Sequence, residues 1–134
     1  MTDPVPGMTV QALDWRRGGL AEGLDCYRNG EFFAAHEHWE LVWLALAEPE
    51  KSFLQALIQM TAAFHHLHSG NRVGAASLLR RTLRRLECCP AWFGGIDVAP
   101  LRIEIGAWLL AIEAGSNFIP VAAPVICVVD PQEQ

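Results

Sequence analysis

The chain has 134 residues, of which 51% are hydrophobic and 19% charged, and its formal net charge at neutral pH is −5. This length allows one domain with a substantial core, and the apolar content excludes an intrinsically disordered or fibrous protein. The negative charge argues against nucleic acid as the main partner, because phosphate binding depends on a clustered excess of Lys and Arg.

The cysteines and the apolar segments indicate where the protein resides. Four cysteines show no CxxC spacing, and a disulfide between neighbours such as Cys88 and Cys89 would be strained, so a reduced, cytoplasmic protein is expected. The first residues, MTDPVPGMTV, lack the basic and apolar regions of a signal peptide. The longest uncharged run, residues 114–129, is shorter than the roughly 20 residues that span a bilayer and contains two prolines, so no membrane insertion is expected.

The N-terminal part predicts a leader and a first helix. Residues 1–8 hold two prolines and a glycine and are expected to be a flexible leader. A helix is predicted over about 9–28, and Gly18-Gly19 favours a break near Arg17. Asn29-Gly30 ends this helix, since glycine is the usual left-handed C-cap residue.

Three further helices are predicted in the middle of the chain. The segment 31–47 has no proline or glycine and strong apolar content, and Glu48-Pro49 stops it. A third helix is predicted over 51–69, closed by Gly70-Asn71, and a fourth over 72–87, where leucines form an apolar stripe opposite arginines.

The C-terminal part predicts a loop, a last helix and a tail. The loop CPAWFGGIDVAP places Trp92 and Phe93 against the core, and a fifth helix covers about 100–113. Residues 116–134 are apolar but proline-rich, so they are expected to extend over the bundle or to reach a second subunit. The fold class is therefore all-α: one compact orthogonal bundle of about five helices over residues 9–115, with an extended C-terminal tail. Its tryptophans are expected in the core or at an interface: Trp15, Trp39, Trp43, Trp92 and Trp108.

Two predicted helices each carry a row of polar side chains among bulky apolar ones. His36 and Glu40 share a face of the second helix, and Gln55, Gln59 and His66 share a face of the third. Buried polar groups need partners. If the two helices pack antiparallel, His36 is expected near His66 and Glu40 near Gln59, while His65 points elsewhere.

This constellation leaves two functional hypotheses open. In the first, His36, Glu40 and His66 bind a divalent transition metal such as zinc, iron or manganese, and Glu37 activates water in a metal-dependent hydrolase. The segment reads HExxE, which differs from the HExxH of zinc metalloproteases.

In the second hypothesis His36, Glu40 and His66 form a buried hydrogen-bond network together with Gln55, Gln59 and His65. The protein is then a non-catalytic helical binding or structural module that assembles as a homodimer. No motif identifies a small-molecule ligand.

Four arginines form a basic stripe on the fourth predicted helix: Arg80, Arg81, Arg84 and Arg85. Arginines near a helix C-terminus complement the helix dipole, so a solvated face is one interpretation. Binding of an anionic ligand or partner is the other.

The chain resembles a known family over roughly residues 17–112. The similarity lies in the runs NGEFFAAHEHWELVW, FLQALIQMTAAFHHLHSGNRVGAASLL and CPAWFGGIDVAPL. Its marks include the AHExxE helix, the LIQ run, a Gly-Asn turn and a later Gly-Ile-Asp. On these motifs the chain is similar to the bacterial and archaeal family catalogued as domain of unknown function 309.

The resemblance implies an all-α bundle in the cytoplasm, with no established activity. Members are often labelled predicted metal-dependent hydrolases, a label that rests on the same His and Glu residues. Ala34 stands where the family usually has Glu.

Overall fold

The computed structural model describes residues 13–115 and 122–129, which form five α-helices and one small hairpin. The helices are α1 (Gly18–Arg28), α2 (Phe32–Leu44), α3 (Glu50–His68), α4 (Arg72–Glu87) and α5 (Val98–Glu113). The strands β1 (Trp92–Phe93) and β2 (Ile96–Asp97) pair antiparallel. The all-α class and the number of helices are confirmed. Of the helices described, none is both long and apolar enough to cross a membrane.

The turn between α3 and α4 follows the predicted signals closely. Gly70 has a φ of +83°, a left-handed conformation that glycine reaches without steric cost. Asn71 caps α4, because its side-chain oxygen accepts a hydrogen bond from the Gly74 amide at 2.9 Å. The predicted bounds of α4 are confirmed, and those of α3 differ by one residue at each end.

The first helix begins later than predicted. Residues 13–17 are not helical, and Gly18, with a φ of +61°, stops the helix from extending upstream. This segment is fixed by side chains, since Leu13 and Trp15 are buried and the Trp15 indole N–H donates to the Gly94 carbonyl at 2.8 Å. The predicted leader, residues 1–8, and the helix predicted over 9–12 lie outside the described residues.

The segment predicted as a loop contains the hairpin. Gly94 and Gly95 both have positive φ, as a two-residue type I′ turn requires. Successive strand residues point to opposite faces. Phe93 therefore packs on Phe53, with ring centroids 5.1 Å apart, whereas Trp92 is 40% exposed and the prediction that it packs in the core is wrong.

The described part of the predicted tail, residues 122–129, lies against the bundle, and we call it the strap. Ile126 is 1% exposed. The Asp97 amide donates to the Cys127 carbonyl at 3.0 Å, and the Val129 amide donates to the Gly95 carbonyl at 2.8 Å. Residues 116–121 and 130–134 lie outside the described residues, and the domain boundaries at 8 and 115 remain predictions.

Trp39 lies at the centre of the core with no exposed surface. Its indole N–H donates to the Leu20 carbonyl at 3.2 Å, and its ring makes an edge contact with Trp15 at 5.8 Å. The indole lies against the backbone of α1 at Gly23, where an added Cβ would be 2.3 Å from Trp39 Nε1. Because Gly23 has no side chain, α1 can pack closely against the Trp39 ring of α2.

Candidate functional site

The predicted His/Glu cluster lies on the outer side of α2. His36 Nδ1 is 3.4 Å from Glu40 Oε2, one helical turn away, and the Glu40 side chain is 56% exposed. Glu37, the predicted general base, is exposed as well. The prediction of a buried network is wrong for these residues, because α2 buries a different face, formed by Phe32, Ala35 and Trp39.

In the polar row of α3, Gln59 and His66 contact α4 and its cap residue instead of α2. Gln59 Oε1 accepts a hydrogen bond from Arg85 Nε at 3.2 Å, and His66 Nδ1 lies 3.3 Å from the Asn71 side-chain nitrogen. The predicted pairing of Glu40 with Gln59 is thus not formed. The reason is that α3 packs between α2 and α4, and helical periodicity defines a face without identifying the neighbour that covers it.

His65 is the α3 histidine on the α2 side, contrary to the prediction. Its ring centroid lies 5.3 Å from that of Phe33, and the Phe33 ring stacks on His36 at 6.5 Å. The half-exposed phenyl ring of Phe33 therefore lies between the imidazoles of His36 and His65. It offers no atom that could bind a metal.

This arrangement does not fit a metal centre within one chain. Within residues 13–115 and 122–129, no group of three or more His, Cys, Asp or Glu side chains could hold an ion. His36 and Glu40 supply two ligands from one helix, whereas sites for catalytic zinc take three from the protein. Because the described residues supply no third ligand, the metal-binding and catalytic roles of His36, Glu37, Glu40 and His66 stay predictions.

The arginine stripe of α4 is divided between two surroundings. Arg80 forms an ion pair with Glu113 of α5. Arg81, Arg84 and Arg85 line a shallow cavity of about 320 Å³ together with Gln59. The polar row of α3 and part of the arginine stripe of α4 were predicted as separate features. The structure brings them together between α3 and α4.

A larger concave surface lies on the opposite side of α3, and we call it the aromatic groove. Its volume is about 480 Å³. Phe64 contacts Phe32 at 5.4 Å and Trp108 at 5.0 Å between ring centroids, so three packed and almost fully buried rings form the apolar floor. The lining residues come from α1, α2, α3, α5 and the strap: Tyr27, Arg28, Asn29, Gly30, Phe32, Phe64, Leu67, His68, Trp108, Ala122, Ala123, Pro124, Val125 and Ile126.

Three hydrogen bonds fasten the strap across this groove. The Tyr27 hydroxyl donates to the Pro124 carbonyl at 2.6 Å, and the Trp108 indole donates to the Ala122 carbonyl at 3.0 Å. Arg28 Nη2 donates to the Ile126 carbonyl at 3.0 Å. The polar atoms of the two aromatic residues are therefore satisfied internally, while the guanidinium keeps further N–H donors for a ligand.

Tyr27 links the groove to the alkaline stability of the fold. Burial, with a smaller contribution from the negative charge of Glu104, raises the pKa of Tyr27 well above its ordinary value. Since the unfolded chain ionises first, the stabilisation is complete below the ordinary pKa and is lost as the pH rises toward the folded value.

Alkaline titration is therefore expected to unfold the protein as its phenolate forms. Tyr27 is the one tyrosine of the chain, so ultraviolet absorbance reports its ionisation directly. Phenolate absorbance and loss of helical circular dichroism should rise together. Ionisation of Tyr27 in a chain of unchanged helicity would contradict its burial beneath the strap.

The sequence patterns singled out few groove residues. Trp108 was predicted as core or interface, whereas Tyr27, Arg28 and Phe64 belong to ordinary helical stripes and carry no motif. The apolar strap was the available signal, since an apolar segment that leaves a helical bundle must cover or bind something.

Comparison with known proteins places the chain among uncharacterised relatives. The family described as "Domain of unknown function (DUF309)" matches residues 20–78, from α1 into α4. An "Uncharacterized protein" of Aquifex aeolicus (strain VF5) is 31% identical over 98 residues, which is 72% of this chain and 29% of that relative. The family match includes Tyr27, Arg28 and Phe64 but ends before Trp108 and the strap.

Proposed function

We propose that the aromatic groove binds a small apolar carboxylate. The DUF309 family, whose model matches residues 20–78, is described by no activity, so the proposal rests on the surface of the chain itself. This develops the second hypothesis from the sequence, a helical binding module. The observation that carries the proposal is the combination of an aromatic floor with the Arg28 guanidinium at its edge.

The groove has the properties of a small-molecule site. Such sites are typically concave, of about 300–1,000 Å³, mostly apolar, and equipped with a few polar groups that orient the ligand. The volume of about 480 Å³ lies in this range. The contacts of Phe64 with Phe32 and with Trp108 hold the rings in place, so their accessible edges give an apolar ligand a preformed surface.

The charges at the edge favour an anionic group on that ligand. Arg28 is exposed and presents the planar donor pattern that matches a carboxylate. His68, which contacts Phe32 at 5.3 Å, adds a second nitrogen-bearing side chain. Glu104, which accepts from the Val125 amide at 3.4 Å, is a carboxylate on the strap side and would disfavour an anion placed there. The carboxylate of the ligand is therefore assigned to the Arg28 end.

The test compares 2-naphthoate with the neutral 2-naphthamide by calorimetric titration. Naphthoate should bind the wild type, and Arg28→Gln should weaken it about tenfold or more, since a hydrogen bond to a charged group contributes about 1.5–3 kcal/mol. Arg28→Lys should weaken it less because the charge remains. Naphthamide should bind the wild type and Arg28→Gln equally. Equal binding would show that the strap still closes the groove in the Arg28→Gln variant.

Arg81→Gln is the matched control, because it removes one exposed arginine that does not line the groove. It should leave naphthoate binding unchanged. Absence of naphthoate binding, or equal weakening by Arg81→Gln and Arg28→Gln, would refute the proposal.

Three expectations about the cellular setting belong to the proposal. The four free thiols, Cys26, Cys88, Cys89 and Cys127, support a reducing, cytoplasmic location. The net charge of −5 supports a partner other than nucleic acid. The homodimer also stays a prediction, and so does a role of the tail at its interface.

A further inference from the structure

A basic surface lies between α3 and α4, and it shares no lining residue with the aromatic groove. Arg81, Arg84 and Arg85 line its cavity of about 320 Å³. All three side chains are exposed. Among the residues that the structure describes, no carboxylate lies within ion-pair distance of Arg81 or Arg84. Arg81 and Arg84, one helical turn apart on α4, thus have no carboxylate counterion among the described residues.

A second cavity of about 240 Å³ adjoins this surface and shares Arg85 with it. Gln55 and Trp43 line it, and the Lys51 ammonium lies 4.1 Å from the Trp43 ring centroid. The Trp43 indole N–H is buried and has no hydrogen-bond partner in the described part of the chain. A buried donor without a partner is costly, and an acceptor that reached it would lower this cost.

The local charge is positive although the whole chain is acidic. Four cations border the two cavities, namely Lys51, Arg81, Arg84 and Arg85, against the single carboxylate of Glu48. Hydrogen bonds from Ser52, with smaller contributions from Arg85 and Lys51, lower the pKa of that carboxyl, so it is ionised and offsets one of the four charges. An excess of three positive charges remains.

We propose that this basic surface binds a phosphate group, either as the free anion or as part of a small phosphomonoester. Arginine side chains bind phosphate oxygens through paired N–H donors, and Gln59 already orients Arg85 by accepting from its Nε. Trp43 gives the adjoining cavity an apolar wall that an organic substituent could contact. The inference is independent of the aromatic groove and its carboxylate ligand.

The test is calorimetric titration at low ionic strength with inorganic phosphate and with phenyl phosphate. Arg84→Gln and Arg81→Gln should each weaken binding about tenfold, because each removes a charge-assisted hydrogen bond. Tighter binding of phenyl phosphate would assign the site to phosphomonoesters, and equal binding would assign it to the free anion.

Arg80→Gln is the matched control, since it removes the same charge from the same helix at a residue already paired with Glu113. It should leave phosphate binding unchanged. No binding at millimolar phosphate, or equal weakening by Arg80→Gln, would overturn the proposal. Melting curves should show that the exposed Arg81 and Arg84 variants remain folded.

Discussion

Replacing Ile126 by alanine is expected to lower the free energy of unfolding by about 2–5 kcal/mol, the range for truncating a buried aliphatic side chain. Ile126 is 1% exposed and is the side chain by which the strap enters the core. Its carbonyl also receives the hydrogen bond from Arg28. Chemical denaturation followed by circular dichroism measures the change.

The adjacent residue supplies the control. Val125 is 53% exposed, so Val125→Ala should change the free energy of unfolding by less than about 0.5 kcal/mol. Both residues line the aromatic groove, and loosening the strap through Ile126→Ala should also weaken naphthoate binding. Equal stability of the two variants would mean that the strap contributes nothing to the core.

Replacing Gly23 by alanine is expected to destabilise the protein by about 1–3 kcal/mol, although alanine favours helices by about 1 kcal/mol over glycine. The added Cβ would lie 2.3 Å from Trp39 Nε1 and 2.4 Å from Cδ1, well inside contact distance. The indole has no exposed surface and cannot move aside without displacing the core. Steric overlap therefore outweighs helix propensity.

Gly106 in α5 shows the opposite balance and is the matched control. A Cβ built there meets no atom within 4 Å. Gly106→Ala should consequently stabilise the protein by about 0.5–1 kcal/mol through helix propensity alone. If thermal denaturation shows that both alanine variants stabilise, the close approach of α1 to Trp39 is wrong.

The helices that carry strong terminal signals were predictable from the sequence. α4 begins after the Asn71 cap and ends before Pro90, and both bounds agree with the prediction. The apolar spacing in residues 9–28 is compatible with a helix, and α1 was therefore predicted to begin earlier. The chain instead leaves the helix at Gly18, which has a positive φ, and Trp15 anchors the upstream segment to the hairpin.

The arrangement of the polar residues was not predictable from periodicity. The spacing of Gln55, Gln59 and His66 places them on one face, but periodicity does not identify the helix that covers this face. Gln59 instead bonds to Arg85 of α4, and His66 lies beside Asn71. A sequence can therefore reveal polar rows on two neighbouring helices even when the side chains of the two rows do not contact each other.

The aromatic groove depends on contacts between residues far apart in sequence. Tyr27 reaches Pro124, and Trp108 reaches Ala122. No local pattern encodes such contacts, because the floor residues have the spacing of ordinary core positions. The strap turns part of the core surface into a groove, and its route is set by the β-bridge between Ile96 and Val128.

The most direct test of ligand binding in the aromatic groove is the dissociation constant of 2-naphthoate for Ala123→Phe, measured beside Ala107→Phe. Ala123 lines the groove, and a phenyl ring there would fill it, whereas Ala107 is exposed on α5 and does not line it. We predict that Ala123→Phe abolishes binding and that Ala107→Phe binds as the wild type does. Undiminished binding by a folded Ala123→Phe variant would show that the groove is not the ligand site.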